Sequence, residues 1–348
     1  MTLNGGLIGC GYIANQQMAA WAQVRGGAIT AVCDIDEAKA RDMAERFGVE
    51  AVHTDYRRML DAVQPDFVDI ATRPMLHLEM VREAAARGIH VLCQKPVAES
   101  MPELEQMIDA CDEAGVRFMV NENFRHRPWF RKMKELIGAG ALGRVFYALI
   151  FDHHRMTLPE PRFGGQPYFA QMPRLMVYEM GIHYLDTARY LFGEASQIYA
   201  RLARVSTDIA GEDLATAMVS FGDMEFLMDL SWCSVQPPTA CVTGCRARIE
   251  GERATAELGY DGLLSLHTDS GCQAWRFSSD GAMQSFVATQ QHFIDCLETG
   301  SESETSGRET VKTMELVFAA YASAARREPV KLTAGKAPAA QRFIVQSC

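Results

Sequence analysis

The stretch that most constrains this chain is the turn Gly9-Cys10-Gly11, which directly follows the apolar strand end Leu7-Ile8. With Tyr12-Ile13-Ala14 it completes the pattern G-x-G-x-x-A. In a strand–turn–helix unit the first glycine permits the turn, the second lets backbone approach a pyrophosphate, and the small third residue lets helix pack on sheet. The N–H groups of the following helix then point at the phosphates. The stretch predicts a dinucleotide-binding Rossmann domain, although glycine turns also end ordinary strands.

A second apolar strand, Ala31-Val32-Cys33, ends in the acidic residue Asp34. This is about where a carboxylate accepts the ribose hydroxyls of NAD. It would repel the ribose phosphate of NADP, and Ile35-Asp36 follows it without an arginine. We therefore expect NAD rather than NADP. The cofactor-binding residues expected in this part of the chain are Gly9, Gly11, Tyr12, Ile13, Asp34 and Ile35.

The composition favours chemistry on a small molecule. The 348 residues suffice for two domains. A formal net charge of −10 argues against binding to nucleic acid or anionic membrane. We find neither a secretory leader pattern nor an apolar run of bilayer length, and therefore expect a cytoplasmic protein. The ten cysteines are scattered singly, which indicates reduced thiols and no zinc site.

Residues 1–122 alternate short apolar runs with helical periodicity, which is typical of a parallel, doubly wound sheet. Helices are predicted over 14–25, 36–47, 55–63, 76–87 and 101–114, and further strands over 67–71, 89–93 and 117–120. These three strands end in Thr72-Arg73-Pro74, Gln94-Lys95-Pro96 and Asn121-Glu122-Asn123. Carboxyl ends of such strands line the ligand crevice, so the functional residues of this domain are expected in these three loops.

Residues 123–348 are predicted to form an α+β domain for substrate binding and oligomerisation. Its predicted helices cover 127–137, 179–191 and 308–325, and a loop rich in Pro, Gly and aromatics covers 157–173. Predicted strands cover 144–151, 196–205, 214–221, 224–233, 240–250, 253–258 and 329–332. This order indicates an open, mainly antiparallel sheet. Its apolar face around Phe221 and residues 226–228 would be exposed unless a second subunit covers it, so we expect homo-oligomers.

Three motifs together resemble the Gfo/Idh/MocA family of sugar and polyol oxidoreductases over nearly the whole chain. They are the glycine turn with Asp34, the segment Cys93-Gln94-Lys95-Pro96, and Glu179-Met180-Gly181-Ile182-His183. Gln94 stands where the family has glutamate, and Glu179 where it has aspartate. The residues around Gln94 and the segment Glu122-Asn123-Phe124-Arg125 look similar to the corresponding segments of bacterial pentose dehydrogenases.

The resemblance implies further site residues and an assembly. It implies that the cofactor also contacts Thr72, His77, Gln94, Lys95, Asn123 and Arg125, and it implies homodimers or homotetramers. With Gln94 in place of glutamate, a role that needs negative charge beside the lysine is in doubt, while a hydrogen bond to the nicotinamide ribose survives.

Oxidation of a sugar hydroxyl needs a base for the hydroxyl proton, and two residues are suited to this role. Lys95 ends a strand on the ligand side, and Pro96 keeps its backbone extended. His183 shares one helix face with Glu179 and Asp186, so a carboxylate could fix its tautomer. The catalytic residues are predicted to be Lys95, His183 and Glu179. The alternatives are a surface lysine at a strand end and a half-buried structural histidine.

The substrate-binding residues are predicted to be Lys95, His153, Arg162, Tyr168, Glu179 and His183. The aromatic loop with Arg162 and Tyr168 is a candidate substrate wall, or equally an oligomer contact. Adjacent histidines on a strand point to opposite faces, so His153 and His154 cannot both join His183 around a metal, and no metal is expected.

These features favour an NAD-dependent dehydrogenase of a free sugar or polyol, such as a pentose oxidised at C1 to the lactone. One alternative uses the same cofactor for oxidation at an inner carbon, oxidoisomerisation of a sugar acid, or elimination. Another is a non-catalytic regulator that senses NAD or sugar. A fold alone does not decide among them.

Overall fold

A computed structural model describes residues 2–158, 163, 165–235 and 241–332 of the chain. The first part is built on a parallel sheet. Its strands are β1 (Leu3–Ile8), β2 (Gly27–Cys33), β3 (Ala51–His53), β4 (Phe67–Ile70), β5 (His90–Gln94) and β6 (Phe118–Asn121). They alternate with helices α1 (Tyr12–Trp21), α2 (Glu37–Phe47), α3 (Tyr56–Val63), α4 (His77–Ala85) and α5 (Met101–Glu113). The sheet order β3-β2-β1-β4-β5-β6 reverses direction between β1 and β4, which is where ligands bind in such folds.

The second part contains helices α6 (Pro128–Gly138) and α7 (Ile182–Phe192), with a π-helical segment, Met176–Gly181, directly before α7. Two long helices follow later, α8 (Gly281–Thr299) and α9 (Gly307–Arg326). The strands are β7 (Val145–His153), β8 (Gln197–Ala203), β9 (Leu214–Phe221), β10 (Met224–Ser231), β11 (Arg246–Gly251), β12 (Thr255–Leu258), β13 (Leu263–Thr268), β14 (Gly271–Arg276) and β15 (Val330–Lys331). They form one sheet in the order β14-β13-β12-β11-β7-β10-β9-β8-β15.

The predicted fold class is confirmed: a parallel α/β sheet is followed by a mainly antiparallel one. The second sheet departs from the prediction in one pairing, because β7 and β10 run parallel at its centre. Short β3 and the hairpin β13–β14 were not predicted. Helix α8 was also missed, since polar residues with no exposure interrupt the apolar period of its buried face, namely Ser285, Thr289 and Gln290.

Helix α8 returns to the first sheet. Phe293 packs edge-on against Phe67 of β4 at 5.6 Å between ring centroids. The Gln290 amide donates to the backbone carbonyl of Gln17 in α1. The core of the parallel sheet is therefore completed by a helix from the far end of the chain. None of the helices in the described residues is long and apolar enough to cross a membrane.

Helix α7 lies on the second sheet and carries the predicted histidine. The Tyr184 hydroxyl donates to the Asp152 carboxylate of β7 at 2.8 Å, deep in the core. Gly181, at the end of the π-helical segment, lies so close to β10 that an added Cβ would touch Met228 and Leu230. These contacts fix the start of α7 relative to the crevice of the parallel sheet.

Candidate functional site

The glycine turn leaves room beside the start of α1. Gly9 has a φ of +97°, and a Cβ there would meet the Ala71 carbonyl oxygen at 2.8 Å, so a side chain is excluded. At Gly11 a Cβ would find open space. No side chain caps the first turn of α1, and that turn contains no acidic residue. Free backbone N–H groups beside an open glycine fit a pyrophosphate.

Asp34 is fixed at the end of β2 by two backbone donors. Its carboxylate accepts the N–H of Cys10 at 2.8 Å and that of Asp36 at 2.9 Å. The next residue, Ile35, is 95% exposed, and Tyr12 is half exposed. A fixed carboxylate between the glycine turn and two exposed apolar side chains fits the adenosine half of NAD.

His77, a predicted cofactor contact, has protein partners at both ring nitrogens. It has no exposure, and its two ring nitrogens lie 3.0 Å from the carbonyl oxygens of Thr72 and Val97. Burial lowers the pKa of His77, which keeps the imidazole neutral. His77 therefore holds the Thr72 loop against the segment after Lys95, and acts on the site only through that loop.

Arg125 and Asn123 are likewise occupied by protein contacts. The Arg125 guanidinium makes two 2.7 Å bonds to Asp186 of α7 and a third to the Glu304 carbonyl. The Asn123 amide donates to the Ser285 hydroxyl of α8 at 2.7 Å. The Arg125 donors tie α7 to the end of the parallel sheet, and its predicted role in cofactor binding stays a prediction.

Lys95 and Glu179 meet across the two halves of the chain. The Lys95 Nζ atom lies 2.9 Å from both the carboxylate and the backbone carbonyl of Glu179. Their side chains are 13% and 5% exposed. Gln94 turns its side-chain oxygen to the Lys95 N–H at 3.1 Å. Lys95 therefore stands in the crevice as a buried, paired cation.

The π-helical segment that carries Glu179 has its own acidic anchor. The buried carboxylate of Glu212 accepts the backbone N–H groups of Leu175 and Val177, and the Tyr321 hydroxyl donates to it at 2.5 Å. Burial raises the pKa of Glu212. This capping holds the widened turn that presents Glu179 to Lys95, and such turns are frequent at functional sites.

His183 is bound by a carboxylate that we did not predict. Its Nδ1 atom lies 2.6 and 2.8 Å from the two carboxylate oxygens of Glu122, which directly follows β6. Glu179, the predicted partner, is paired with Lys95, and Asp186 with Arg125. Helical spacing places Glu179, His183 and Asp186 on one face, but each of them pairs with a residue from a different part of the chain. A signal for Glu122 existed, since it lies in one of the three loops expected at the crevice.

The electrostatics of this pair follow from burial. Burial raises the pKa of Glu122 to about 7, and the positive charge of Lys95 opposes that rise. Burial lowers the pKa of His183 well below its usual value, and the charge of Lys95 lowers it further. The imidazole is therefore neutral at neutral pH, as a general base must be.

The remaining predicted substrate residues, Tyr168, His153 and Arg162, do not all lie in one place. Tyr168 stays at the crevice: the Arg73 guanidinium lies 4.6 Å from its ring, and burial, aided by the charge of Glu179, raises its pKa to about 12. His153 stacks on Phe151 with 3.6 Å between ring centroids, on the sheet face opposite Asp152 and α7, and its predicted contact with substrate stays a prediction. Arg162 lies outside the described residues. No cluster able to hold a metal occurs among the residues described.

A parallel sheet of this order, a glycine turn beside a fixed carboxylate, and a lysine and a histidine each paired with a carboxylate at the strand ends are typical of a nicotinamide-dependent oxidoreductase. The chain belongs to the Gfo/Idh/MocA oxidoreductase family. Residues 3–122 match the model of its NAD-binding Rossmann fold, and residues 130–257 match a GFO/IDH/MocA C-terminal domain. The family and cofactor predicted from the motifs are thereby confirmed, and the chain is an NAD-binding dehydrogenase.

Three similar proteins cover nearly the whole chain. A D-apiose dehydrogenase of Paraburkholderia graminis is 36% identical over 96% of this chain and 91% of its own length. A D-apiose dehydrogenase of Rhizobium rhizogenes is 34% identical over 95% of this chain and 98% of its own length. A crystal structure of an oxidoreductase from Agrobacterium radiobacter in complex with NAD+, L-tartaric acid and magnesium superposes with a TM-score of 0.89 at 33% identity, covering 95% of this chain and 98% of that one.

Proposed function

We propose that this protein oxidises a free aldose, a pentose such as D-apiose, at C1 to the lactone with NAD. The observation that carries the proposal is the convergence of Lys95 and His183 at the carboxyl end of the parallel sheet, each held by a buried carboxylate. Two relatives more than 30% identical over nearly the whole chain carry the name D-apiose dehydrogenase, which supports the choice of sugar.

In the proposed mechanism Lys95 and His183 act on one substrate hydroxyl. Bound NAD supplies the hydride acceptor. The Lys95 ammonium donates a hydrogen bond to the reacting oxygen and favours its loss of the proton. His183 Nε2, which has no partner among the described residues, takes that proton. Glu179 holds Lys95 in place and can accept a bond from a neighbouring sugar hydroxyl, and Tyr168 offers a flat wall to the ring.

The residues proposed to bind NAD lie at or just beyond the carboxyl ends of β1, β2, β4, β5 and β6. Gly9, Gly11 and the start of α1 at Tyr12 and Ile13 would hold the pyrophosphate, and Asp34 beside Ile35 would hold the adenosine ribose. Thr72, Gln94 and Asn123 border the nicotinamide half, with Lys95. The charge of Asp34 favours NAD over NADP.

We further propose that the chain divides functionally at residues 122 and 123 and assembles as a homodimer or homotetramer. An apolar row crosses four adjacent strands on the sheet face away from α7, formed by Leu149, Tyr199, Met218 and Leu227. Met218 is half exposed. A second subunit on this face would bury the row. The nine described cysteines are free thiols, as expected for a protein of the cytoplasm.

The test is a screen of aldoses, polyols and aldonates with NAD, followed as NADH absorbance and by identification of the product. The proposal expects stoichiometric NADH and a lactone from a pentose. NADH formation with a keto sugar would indicate oxidation at an inner carbon, turnover without net NADH an internally recycled cofactor, and binding without turnover a regulator. Each of these outcomes would overturn the proposal.

A further inference from the structure

We propose that Glu122 is the positioning residue of His183: it fixes the imidazole in the tautomer that carries its proton on Nδ1 and leaves Nε2 as the acceptor for the substrate proton. The proposal deepens the function proposed above and rests on it. Neither Glu122 nor its loop partner Phe124 was among the site residues predicted from the sequence.

The Glu122 carboxylate is itself held in place. One of its oxygens accepts the backbone N–H of Phe124 at 3.0 Å, and its residue is 3% exposed. The same carboxylate faces His183 Nδ1 at 2.6 Å, and His183 is 5% exposed. An ionised carboxylate can only accept hydrogen bonds, so Nδ1 must be the donor. The lone pair is then on Nε2.

The plane of the imidazole is fixed by a second contact from the same loop. The Phe124 ring stacks on His183 with 3.7 Å between ring centroids and 5° between planes. The guanidinium of Arg127 lies on the Phe124 ring at 3.2 Å and supports it. The Glu122 carboxylate at Nδ1 and the Phe124 ring on the face of the imidazole together fix the orientation of the His183 ring.

The neighbouring carboxylates have other partners. Glu179 receives the Lys95 ammonium, and Asp186 receives Arg125 and the Thr313 hydroxyl. Among the described residues Glu122 alone hydrogen-bonds a ring nitrogen of His183. When Nε2 takes up a proton, the nearby negative charge stabilises the imidazolium that forms. Because Glu122 follows β6 and His183 belongs to α7, this contact also ties the base to the cofactor-binding sheet.

The charged groups that face the pair set its pH dependence. They are Lys95, Arg125 and Arg127 around Glu122, and Lys95, Arg127, Asp152 and Asp186 around His183. Burial raises the pKa of Glu122 to about 7, so below that pH Glu122 becomes a donor toward Nδ1 and the acceptor tautomer is lost. The kcat/KM should therefore fall as the pH falls through about 7.

The primary experiment is ¹⁵N NMR of histidine-labelled wild-type protein at pH 8.5, with the His183 signals assigned from a His183→Gln variant. We expect a neutral imidazole with a protonated Nδ1. A proton on Nε2 in the wild-type protein would overturn the proposal. This readout needs no substrate, so it separates failure of the positioning role from failure of the proposed sugar oxidation.

The variant Glu122→Gln sharpens the test. The Phe124 N–H selects the amide oxygen for the Oε1 position, so the NH₂ group takes the Oε2 position, 2.8 Å from Nδ1. There it no longer accepts the Nδ1 proton, and the neutral amide carries no charge to stabilise the imidazolium. We expect kcat/KM to fall by about 10²–10⁴-fold, the size of a lost or misoriented base. The fall of kcat/KM below about pH 7 should disappear, while the affinity for NAD changes little. Glu122→Asp should recover part of the activity, and Glu113→Gln, on the exposed end of α5, should match wild type. Unchanged activity and tautomer in Glu122→Gln would overturn the proposal.

Discussion

Lys95 Nζ lies 2.9 Å from the Glu179 carboxylate, and this contact joins the end of a Rossmann strand to a π-helical turn of the second domain. Both groups are largely buried, so removing one partner leaves the other without its counter-charge. The pair therefore links the two parts of the chain and also belongs to the proposed catalytic site. Stability and activity should respond differently when it is altered.

Replacing Lys95 with methionine leaves the Glu179 carboxylate buried without its cation. The free energy of unfolding should fall by about 3–5 kcal/mol, as for other broken buried pairs. The double variant Lys95→Met/Glu179→Gln should regain most of this stability and none of the activity. Urea unfolding measures the first effect and NADH formation the second. Lys132→Met, which breaks a pair with the exposed Glu135, should cost at most about 1 kcal/mol. Equal losses in the single and double variants would contradict the assignment.

Lys95→Ala and His183→Ala should each lower kcat by about 10²–10⁴-fold, because each removes a group from the proton transfer. Binding of NAD, measured by fluorescence titration, should change little. Because both groups serve one proton transfer, the double variant should lose less than the product of the two single losses. His267→Ala, at a half-exposed site on β13, is the control and should retain wild-type kcat. Multiplicative losses would show that the two residues act independently.

Asp34→Ser should reduce the preference for NAD over NADP by about tenfold or more, since it removes the repulsion of a ribose phosphate. The variant also loses an acceptor for the Cys10 and Asp36 N–H groups, so binding of NAD itself should weaken. Steady-state kinetics with both cofactors measure the ratio. Asp42→Ser, on the exposed face of α2, should leave the ratio unchanged. Equal use of both cofactors by the wild-type protein would refute the predicted preference.

Asp69→Asn should stabilise the protein in a pH-dependent manner. Burial raises the pKa of Asp69 to about 7 against an ordinary 3.8, and only the Trp21 indole donates to it among the described residues. A carboxyl with a raised pKa in the folded state contributes its full stability below about pH 4 and loses it as the pH rises through 7. Asparagine resembles the protonated acid and has no such loss.

The two proteins should therefore unfold at similar urea concentrations at pH 4.5. At pH 8 the variant should be more stable by up to about 4 kcal/mol, the value of three pKa units. Asp42→Asn should show no difference between the two pH values. A pH-independent difference between Asp69→Asn and wild type would contradict the buried, neutral carboxyl.

Met218→Glu should dissociate the proposed oligomer, because it places a charge in the exposed apolar row of the second sheet. Light scattering at micromolar protein should show a multiple of 38.6 kDa for wild type and a smaller mass for the variant. Val205→Glu, at an exposed site after β8, should leave the mass unchanged. A monomeric wild type would refute the assembly.

Local sequence patterns predicted five of the six strands of the parallel sheet, all but short β3, because those strands are encoded by runs of adjacent apolar residues. Asp36 and Asp55 likewise cap α2 and α3 with their own side chains. Lys95 and His183 were also identified locally, each within a short motif. Their partners were harder to predict, because pairing depends on which elements pack together. Helical spacing suggested Glu179 for His183, yet β6 delivers Glu122 to it and β5 delivers Lys95 to Glu179.

Strand β7 precedes both of the strands that it pairs with. It pairs with β10 on one side and with β11 on the other, and both follow it in the chain, β10 after the whole of α7. During synthesis β7 therefore leaves the ribosome as an unpaired apolar strand with two open edges. Contacts between distant segments form slowly, and open edges invite aggregation while they are unpaired. Until β10 arrives, the start of α7 lacks the surface against which Gly181 packs. His183 therefore takes its place late, and a nascent chain that stops before β10 keeps an apolar strand edge open to aggregation.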